Sequence, residues 1–140
     1  MKVNYVIVLP AVQRQWPSPS DSERYIANHL NIGCNTWQTN TAMRKGFCER
    51  IFAGAGNHPG TQAEGGTFDW WRGERARSMS VGDLIHLDPE GLNEWWVCDS
   101  IGFILMTESQ ALAWLAWPGR KYGCCSFELS EWLDSVTQLA

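Results

Sequence analysis

The sequence lacks an apolar run of the about 18 residues that a helix needs to cross a bilayer. It also lacks a secretory signal and a Cys-x-x-Cys pair, and its cysteines number five, which is odd. These absences argue against a membrane span and against a disulfide framework, and they favour free thiols in a reducing compartment. We therefore expect a cytoplasmic protein with no membrane contact.

Signatures of cofactor and metal chemistry are missing as well. There is no phosphate-binding loop, no G-x-S-x-G and no dinucleotide fingerprint. The histidines, which number three, show no spacing typical of metal ligands; they are His29, His58 and His86. We expect no cofactor and no metal site.

A cysteine-histidine hydrolase is the enzyme that these residues could most readily form. It would need Cys98 or Cys124 beside His58 or His86, with Asp99 as the orienting group. Cys98 lies in a predicted strand, where a free cysteine is usually a small buried hydrophobe. We therefore predict no catalytic residues and no enzymatic activity.

Acidic residues outnumber basic ones, 15 to 11, so the net charge is −4. This balance argues against a protein that grips nucleic acid through a broad phosphate-neutralising surface. A local exception is a cluster of arginines beside a tryptophan pair: Trp70, Trp71, Arg72, Arg75 and Arg77. The cluster is suited to phosphate contact or to stacking. The alternative is that these charges belong to an ordinary solvated loop.

Tryptophan is abundant, with nine in 140 residues. Indoles are favoured in cores and at the centres of interfaces, and nine exceed what a core of this size readily absorbs. Adjacent residues of a strand point to opposite faces. We therefore predict that one member of Trp70–Trp71 and one of Trp95–Trp96 is exposed and anchors a binding partner.

The first half of the chain predicts a strand and two helices. Residues 2–9 are β-branched and aromatic, which is typical of a buried strand. Ser20 and Glu23 have the spacing of a capping box, which predicts a helix over 21–30. A second helix, capped by Thr39 or Thr41, has an apolar stripe and ends at Gly54; a glycine-rich loop follows to Gly66.

The second half predicts an antiparallel meander followed by helices. Its strands are 78–87, 93–99 and 102–106, and the spacing of Thr107 and Gln110 predicts a capped helix reaching Pro118. Ser130 can cap a last helix. The fold class is therefore α+β in one domain, 1–140: a small antiparallel sheet, made of the N-terminal strand and the three-stranded meander, packed with two N-terminal helices and short C-terminal helices.

Two segments carry family character: residues 77–85 (RSMSVGDLI) and 96–103 (WVCDSIGF). Together they resemble the YodL-like domain of bacterial plasmids, integrative elements and phages. The helix segment 48–52 (CERIF) and the following Asn57-His58-Pro59 are similar to what precedes that core. The resemblance implies a YodL-like core over 1–106 and a C-terminal helical extension over 107–140.

The same segments have a structural interpretation that needs no family. Gly82 can take a backbone conformation that is closed to other residues, and the Asp83 and Asp99 carboxylates can accept hydrogen bonds from turn or strand amides; Gly102 belongs to the second motif. We expect the two motifs, with Ser80, to brace each other. The alternative, a catalytic pair of Asp83 and Asp99, is less favoured.

The resemblance also implies a function. It predicts a mobile-element protein, from a phage or plasmid, that opposes host defence in the bacterial cytoplasm as an anti-CRISPR-type inhibitor. Such a protein would bind a CRISPR effector or restriction complex stoichiometrically, with aromatic anchors and an acidic rim. One alternative is a nucleic-acid-binding accessory protein that uses the Trp and Arg cluster, and a third is an enzyme with an unrecognised site.

Overall fold

A computed structural model describes residues 2–10, 23–33, 36–56, 66–76, 78–99 and 102–116. Within them the protein is α+β, with a five-stranded antiparallel sheet and three helices. In chain order the elements are β1 Lys2–Leu9, β2 Glu23–Asn31, α1 Thr41–Ala55, α2 Thr67–Glu74, β3 Leu84–Leu87, β4 Glu94–Cys98, β5 Phe103–Met106 and α3 Glu108–Ala116.

The sheet has the strand order β2-β1-β3-β4-β5. Its register aligns Val8 with Leu84, Leu84 with Val97, and Val97 with Ile104. The predicted N-terminal strand and the meander of β3, β4 and β5 are both confirmed. The first meander strand is shorter than predicted because residues 81 and 82 form a turn.

The helix predicted over 21–30 is wrong, because the described part of this segment is strand β2. β1 has one edge bonded to β3, and β2 supplies hydrogen-bond partners for its other edge. A bulge shifts the register between Val3 and Tyr5, so that Ala27 and Leu30, three residues apart, are both buried. A spacing of three residues is also typical of one helix face, but Ile26, within the segment predicted as a helix, is 70% exposed. The predicted cap at Ser20 lies outside the described residues.

Alternating side chains divide the sheet into two covered faces. On the first face Tyr5, Ile7, Ile85, Leu87, Trp96 and Cys98 pack with α1 and α2. On the second face Val6, Val8, Leu84, Trp95, Val97 and Met106 pack with α3. The sheet is therefore a middle layer, and both of its faces contribute to the core.

Helix α1 matches the second predicted helix closely. It is capped by Asn40, whose Oδ1 accepts the Met43 N–H at 2.9 Å, and not by Thr39 or Thr41. It runs one residue past Gly54. A Cβ on that glycine would lie 2.9 Å from Thr67 Cγ2, so the missing side chain lets α1 and α2 approach closely.

Helix α2 lies between the predicted loop and the predicted first strand of the meander, where no helix was predicted, and it carries the Trp70–Trp71 pair. The capping box of α3 is present: the Thr107 N–H donates to Gln110 Oε1 at 2.9 Å, and the Gln110 N–H donates to Thr107 Oγ1 at 3.1 Å. Over the described ranges, none of the helices is long and apolar enough to span a membrane. The helix predicted after Ser130 lies outside those ranges.

Candidate functional site

The predicted tryptophan anchors are mostly core residues. Trp95 and Trp96 point to opposite faces of β4, as expected, but α3 covers one indole and the helix pair covers the other. Trp71 is also buried, and Trp70 is half-buried. The prediction that one of Trp95 and Trp96 is exposed is wrong because it did not foresee that both faces are covered. Outside the described residues lie Trp16, Trp117 and Trp132.

The arginine cluster lies on and after α2. Arg72 and Arg75 are exposed, and Arg77 lies outside the described residues. The Arg72 guanidinium carbon lies 5.5 Å from the centroid of the Phe68 ring. Asp69 and Glu74, also exposed, interleave with these cations, so the helix presents a surface of mixed charge.

The first motif is braced as predicted. The buried Asp83 carboxylate accepts the Ser80 N–H at 2.8 Å. The Gly82 N–H donates to the Cys98 carbonyl at 2.9 Å, and the Cys98 N–H donates to the Asp83 carbonyl at 2.8 Å. Gly82 has φ of +93°, which favours glycine. These bonds join residues 80–83 to the end of β4 and give the Asp83 carboxylate a structural role.

The second motif forms the turn between β4 and β5. The Asp99 N–H donates to the Gly102 carbonyl at 2.8 Å, and Gly102 has φ of +82°. A Cβ on Gly102 would lie 3.1 Å from Glu49 Oε1 on α1. The positive φ favours a glycine here, and the contact shows that the Glu49 side chain of α1 lies close to this turn.

These segments enclose a pocket of about 330 Å³ between α1 and the end of the sheet. It is lined by Glu49, Phe52, Val81, Cys98, Asp99, Gly102 and Phe103. The lining comes from the three stretches that stood out in the sequence: 48–52, 77–85 and 96–103. We call it the α1–β4 pocket.

The lining of the α1–β4 pocket has an apolar wall and two acidic side chains. The Phe52 and Phe103 rings meet edge to face at a centroid distance of 6.1 Å, and Phe103 is buried. Glu49 is exposed and Asp99 is partly exposed. The site can therefore hold a group that has a flat apolar face and a positive charge.

Arg44 sets the position of α1 on the sheet. Its Nε donates to Glu94 Oε1 at 2.7 Å and its Nη1 to the Trp37 carbonyl at 2.6 Å, in a nearly buried ion pair. Because the same helix carries Glu49 and Phe52, this pair fixes the α1 wall of the pocket. The sequence did not reveal it, since the partners are 50 residues apart.

Two buried cysteines, Cys48 and Cys98, lie near the pocket. Burial raises the pKa of the Cys48 thiol well above its usual range, and the Glu94 and Glu49 charges add to the shift while Arg44 opposes it. Cys98 and His86 lie on opposite faces of the sheet and cannot pair. The candidate partners His58 and Cys124 lie outside the described residues.

His86 is half-buried on the second face of the sheet. Its ring stacks on Trp95 at a centroid distance of 3.8 Å, and its Nε2 lies 2.5 Å from Asn93 Oδ1. Burial lowers the pKa of His86, the hydrogen bond to Asn93 partly opposes this, and Arg24 lowers it further. The ring extends the core of the second face.

A second polar cluster was missed in the sequence. The Tyr5 hydroxyl lies 2.9 Å from Thr67 Oγ1 and 3.1 Å from His29 Nε2, below the half-buried Trp70. A tyrosine inside a buried strand needs a hydrogen-bond partner, which was the available signal. The sequence alone does not identify this partner of Tyr5, because His29 falls within the predicted helix 21–30.

The described part of the chain contains no group of His, Cys, Asp and Glu side chains placed to hold a metal ion. The chain matches no family model, no curated protein and no solved structure. The α1–β4 pocket, which the motif segments build, is the candidate binding site.

Proposed function

We propose that the protein is an anti-defence protein of a mobile element that binds a bacterial defence complex stoichiometrically, as an anti-CRISPR-type inhibitor does. One observation carries the proposal: the segments that resemble the YodL-like domain converge with α1 on the α1–β4 pocket. The target classes are a CRISPR effector and a restriction system. The resemblance to the YodL-like domain and the surface chemistry support these target classes.

Charge supports this kind of partner. The chain carries a net charge of −4, and two of its carboxylates, Glu49 and Asp99, line the pocket. Complexes that process nucleic acid hold it in basic channels. An acidic protein is drawn to such channels by complementary potential, which raises the rate of association and favours one orientation.

The proposed binding surface is the pocket end of the sheet and not the tryptophan pairs. Trp71, Trp95 and Trp96 are buried and cannot serve as anchors without unfolding. Leu105, on β5, is 44% exposed and lies two residues from Phe103, on the same face. This strand provides apolar contact beside an acidic pocket, the composition expected of an interface centre and its rim.

A nucleic-acid-binding accessory protein is the second candidate. Exposed Arg72 and Arg75 beside the half-buried Trp70 favour it. Exposed Asp69 and Glu74 on the same helix oppose it, because they repel phosphate. An enzyme is a weaker third candidate, since Cys98 and His86 lie on opposite faces of the sheet.

The proposal is tested by phage challenge of bacteria that carry one defined CRISPR or restriction system. Expression of the protein should restore plating. Capture of the tagged protein should recover a subunit of that system even after nuclease treatment.

Charge reversal supplies the matched variants. Glu49→Arg should abolish both effects, whereas Glu90→Arg, an exposed position in the turn at the other end of β4, should retain them. Recovery that disappears with nuclease would move the assignment to nucleic-acid binding. Unchanged plating across all the systems tested would contradict the proposal.

A further inference from the structure

We infer that the α1–β4 pocket receives the guanidinium group of an arginine side chain from a protein partner. The inference deepens the proposed function and rests on it for the origin of the arginine.

The size of the pocket limits its ligand. A volume of about 330 Å³ lies at the low end of small-molecule pockets, which span roughly 300 to 1,000 Å³. It is large enough for one long side chain. Under the proposed function, the ligand is one such side chain projecting from a larger partner.

The lining selects the chemistry of that group. Phe52 and Phe103 offer aromatic surface, Val81 is apolar, and Glu49 and Asp99 are acidic. A guanidinium is planar and weakly hydrated, stacks on rings and donates several N–H bonds in a rigid fork to carboxylates. A lysine ammonium is a compact and strongly hydrated charge, which gains less from the aromatic wall.

The side chain of Lys45 brings a positive charge close to the pocket. Lys45 precedes Glu49 by one helical turn, and its Cε lies 3.7 Å from the position that a Cβ on Gly102 would take. Its ammonium repels an incoming cation and attracts the same carboxylate. Removing the Lys45 charge should therefore strengthen the binding of arginine. Damage to the pocket should weaken it, so the two effects have opposite signs.

The test is an NMR titration of the full chain with three capped tripeptides that differ only at the central residue: arginine, citrulline or lysine. Citrulline keeps the shape of arginine and lacks its charge. We expect the arginine peptide to bind with a Kd in the millimolar range and to shift the amides of Glu49, Gly102 and Phe103. Citrulline should bind at least about tenfold more weakly.

Matched variants sharpen the result. Glu49→Gln should weaken binding of the arginine peptide about tenfold, Glu90→Gln should leave it unchanged, and Lys45→Met should tighten it. Unchanged circular dichroism and thermal midpoint of Glu49→Gln establish that its fold is intact. Equal binding of arginine and citrulline, or an equal effect of the two glutamate variants, would overturn the inference. Lysine binding as tightly as arginine would overturn the guanidinium assignment.

The two proposals fail separately. If the arginine peptide binds as expected but no defence system is inhibited, the pocket assignment stands and the anti-defence function falls. If inhibition is found and Glu49→Gln inhibits as well as Glu90→Gln, the function stands and the arginine site is wrong.

Discussion

The two faces of the sheet are built by different chemistry. The second face, under α3, is mainly apolar; its polar contacts include the Trp114 indole N–H donating to the Gly82 carbonyl at 2.7 Å and the hydrogen bond between His86 and Asn93. The first face, under α1 and α2, holds a buried ion pair, the Tyr5 hydroxyl cluster and the α1–β4 pocket. One face therefore provides mainly packing, while the other positions polar groups and a binding site.

The largest expected effect is on the apolar face. Trp114→Ala removes a fully buried indole and leaves the Gly82 carbonyl without its donor. We expect the free energy of unfolding to fall by about 3–5 kcal/mol, measured by denaturant titration. Leu112→Ala on the same helix, where the side chain is 51% exposed, is the control and should change it by less than about 1 kcal/mol. Similar losses in both variants would show that α3 does not cover this face as described.

The next effect is on the polar face. Arg44→Ala leaves the Glu94 carboxylate, 15% exposed, without its guanidinium and strips the Trp37 carbonyl of a donor. The expected loss is about 3 kcal/mol, since breaking a buried pair strands a charge. The neighbouring exposed Lys45→Ala should cost less than about 0.5 kcal/mol. A loss below 1 kcal/mol for Arg44→Ala would mean that the pair does not hold α1 on the sheet.

Asp83→Ala tests the link between the motif and the strand. It frees the Ser80 N–H, and we expect a loss of about 1–3 kcal/mol. Asp83→Asn retains an oxygen acceptor, so it should recover part of that stability. Unchanged melting of the alanine variant would refute the bracing role.

The smallest effect is a pH dependence on the second face. Because the pKa of His86 is lowered by folding, the unfolded chain binds the proton more tightly than the folded one. Its stabilising contribution is present above the usual histidine pKa of 6.5 and is lost as the pH falls through the lowered folded value. Relative to His86→Gln, the wild-type protein should therefore lose stability on acidification. A difference in melting temperature between the two that stays constant from pH 8 to pH 5 would contradict this.

Local signals predicted much of the fold. The strand β1, the meander, α1 and the capped α3 all follow from patterns within one segment. β2 was missed because the bulge opposite Val3 and Tyr5 breaks the alternation that marks a strand. The burial of Trp95 and Trp96 was missed for a different reason: whether a face is covered depends on helices distant in the chain.

The site was predicted only in pieces. Residues 48–52, 77–85 and 96–103 each stood out, and Asp83 was correctly interpreted as a brace. No spacing rule brings Glu49 on α1 to the Gly102 turn, since that approach depends on the packing of α1 against the sheet. The same holds for Arg44 and Glu94, whose pairing is a property of the tertiary structure.

The most direct test of a binding site on the first face is hydrogen exchange of the protein alone and in complex with the captured defence subunit. The account predicts slower exchange on binding in residues 49–52 and 98–106, around the α1–β4 pocket, with little change in α2 or α3. Slower exchange confined to α2, around Trp70 and Arg72, would contradict it and place the binding surface on the arginine cluster.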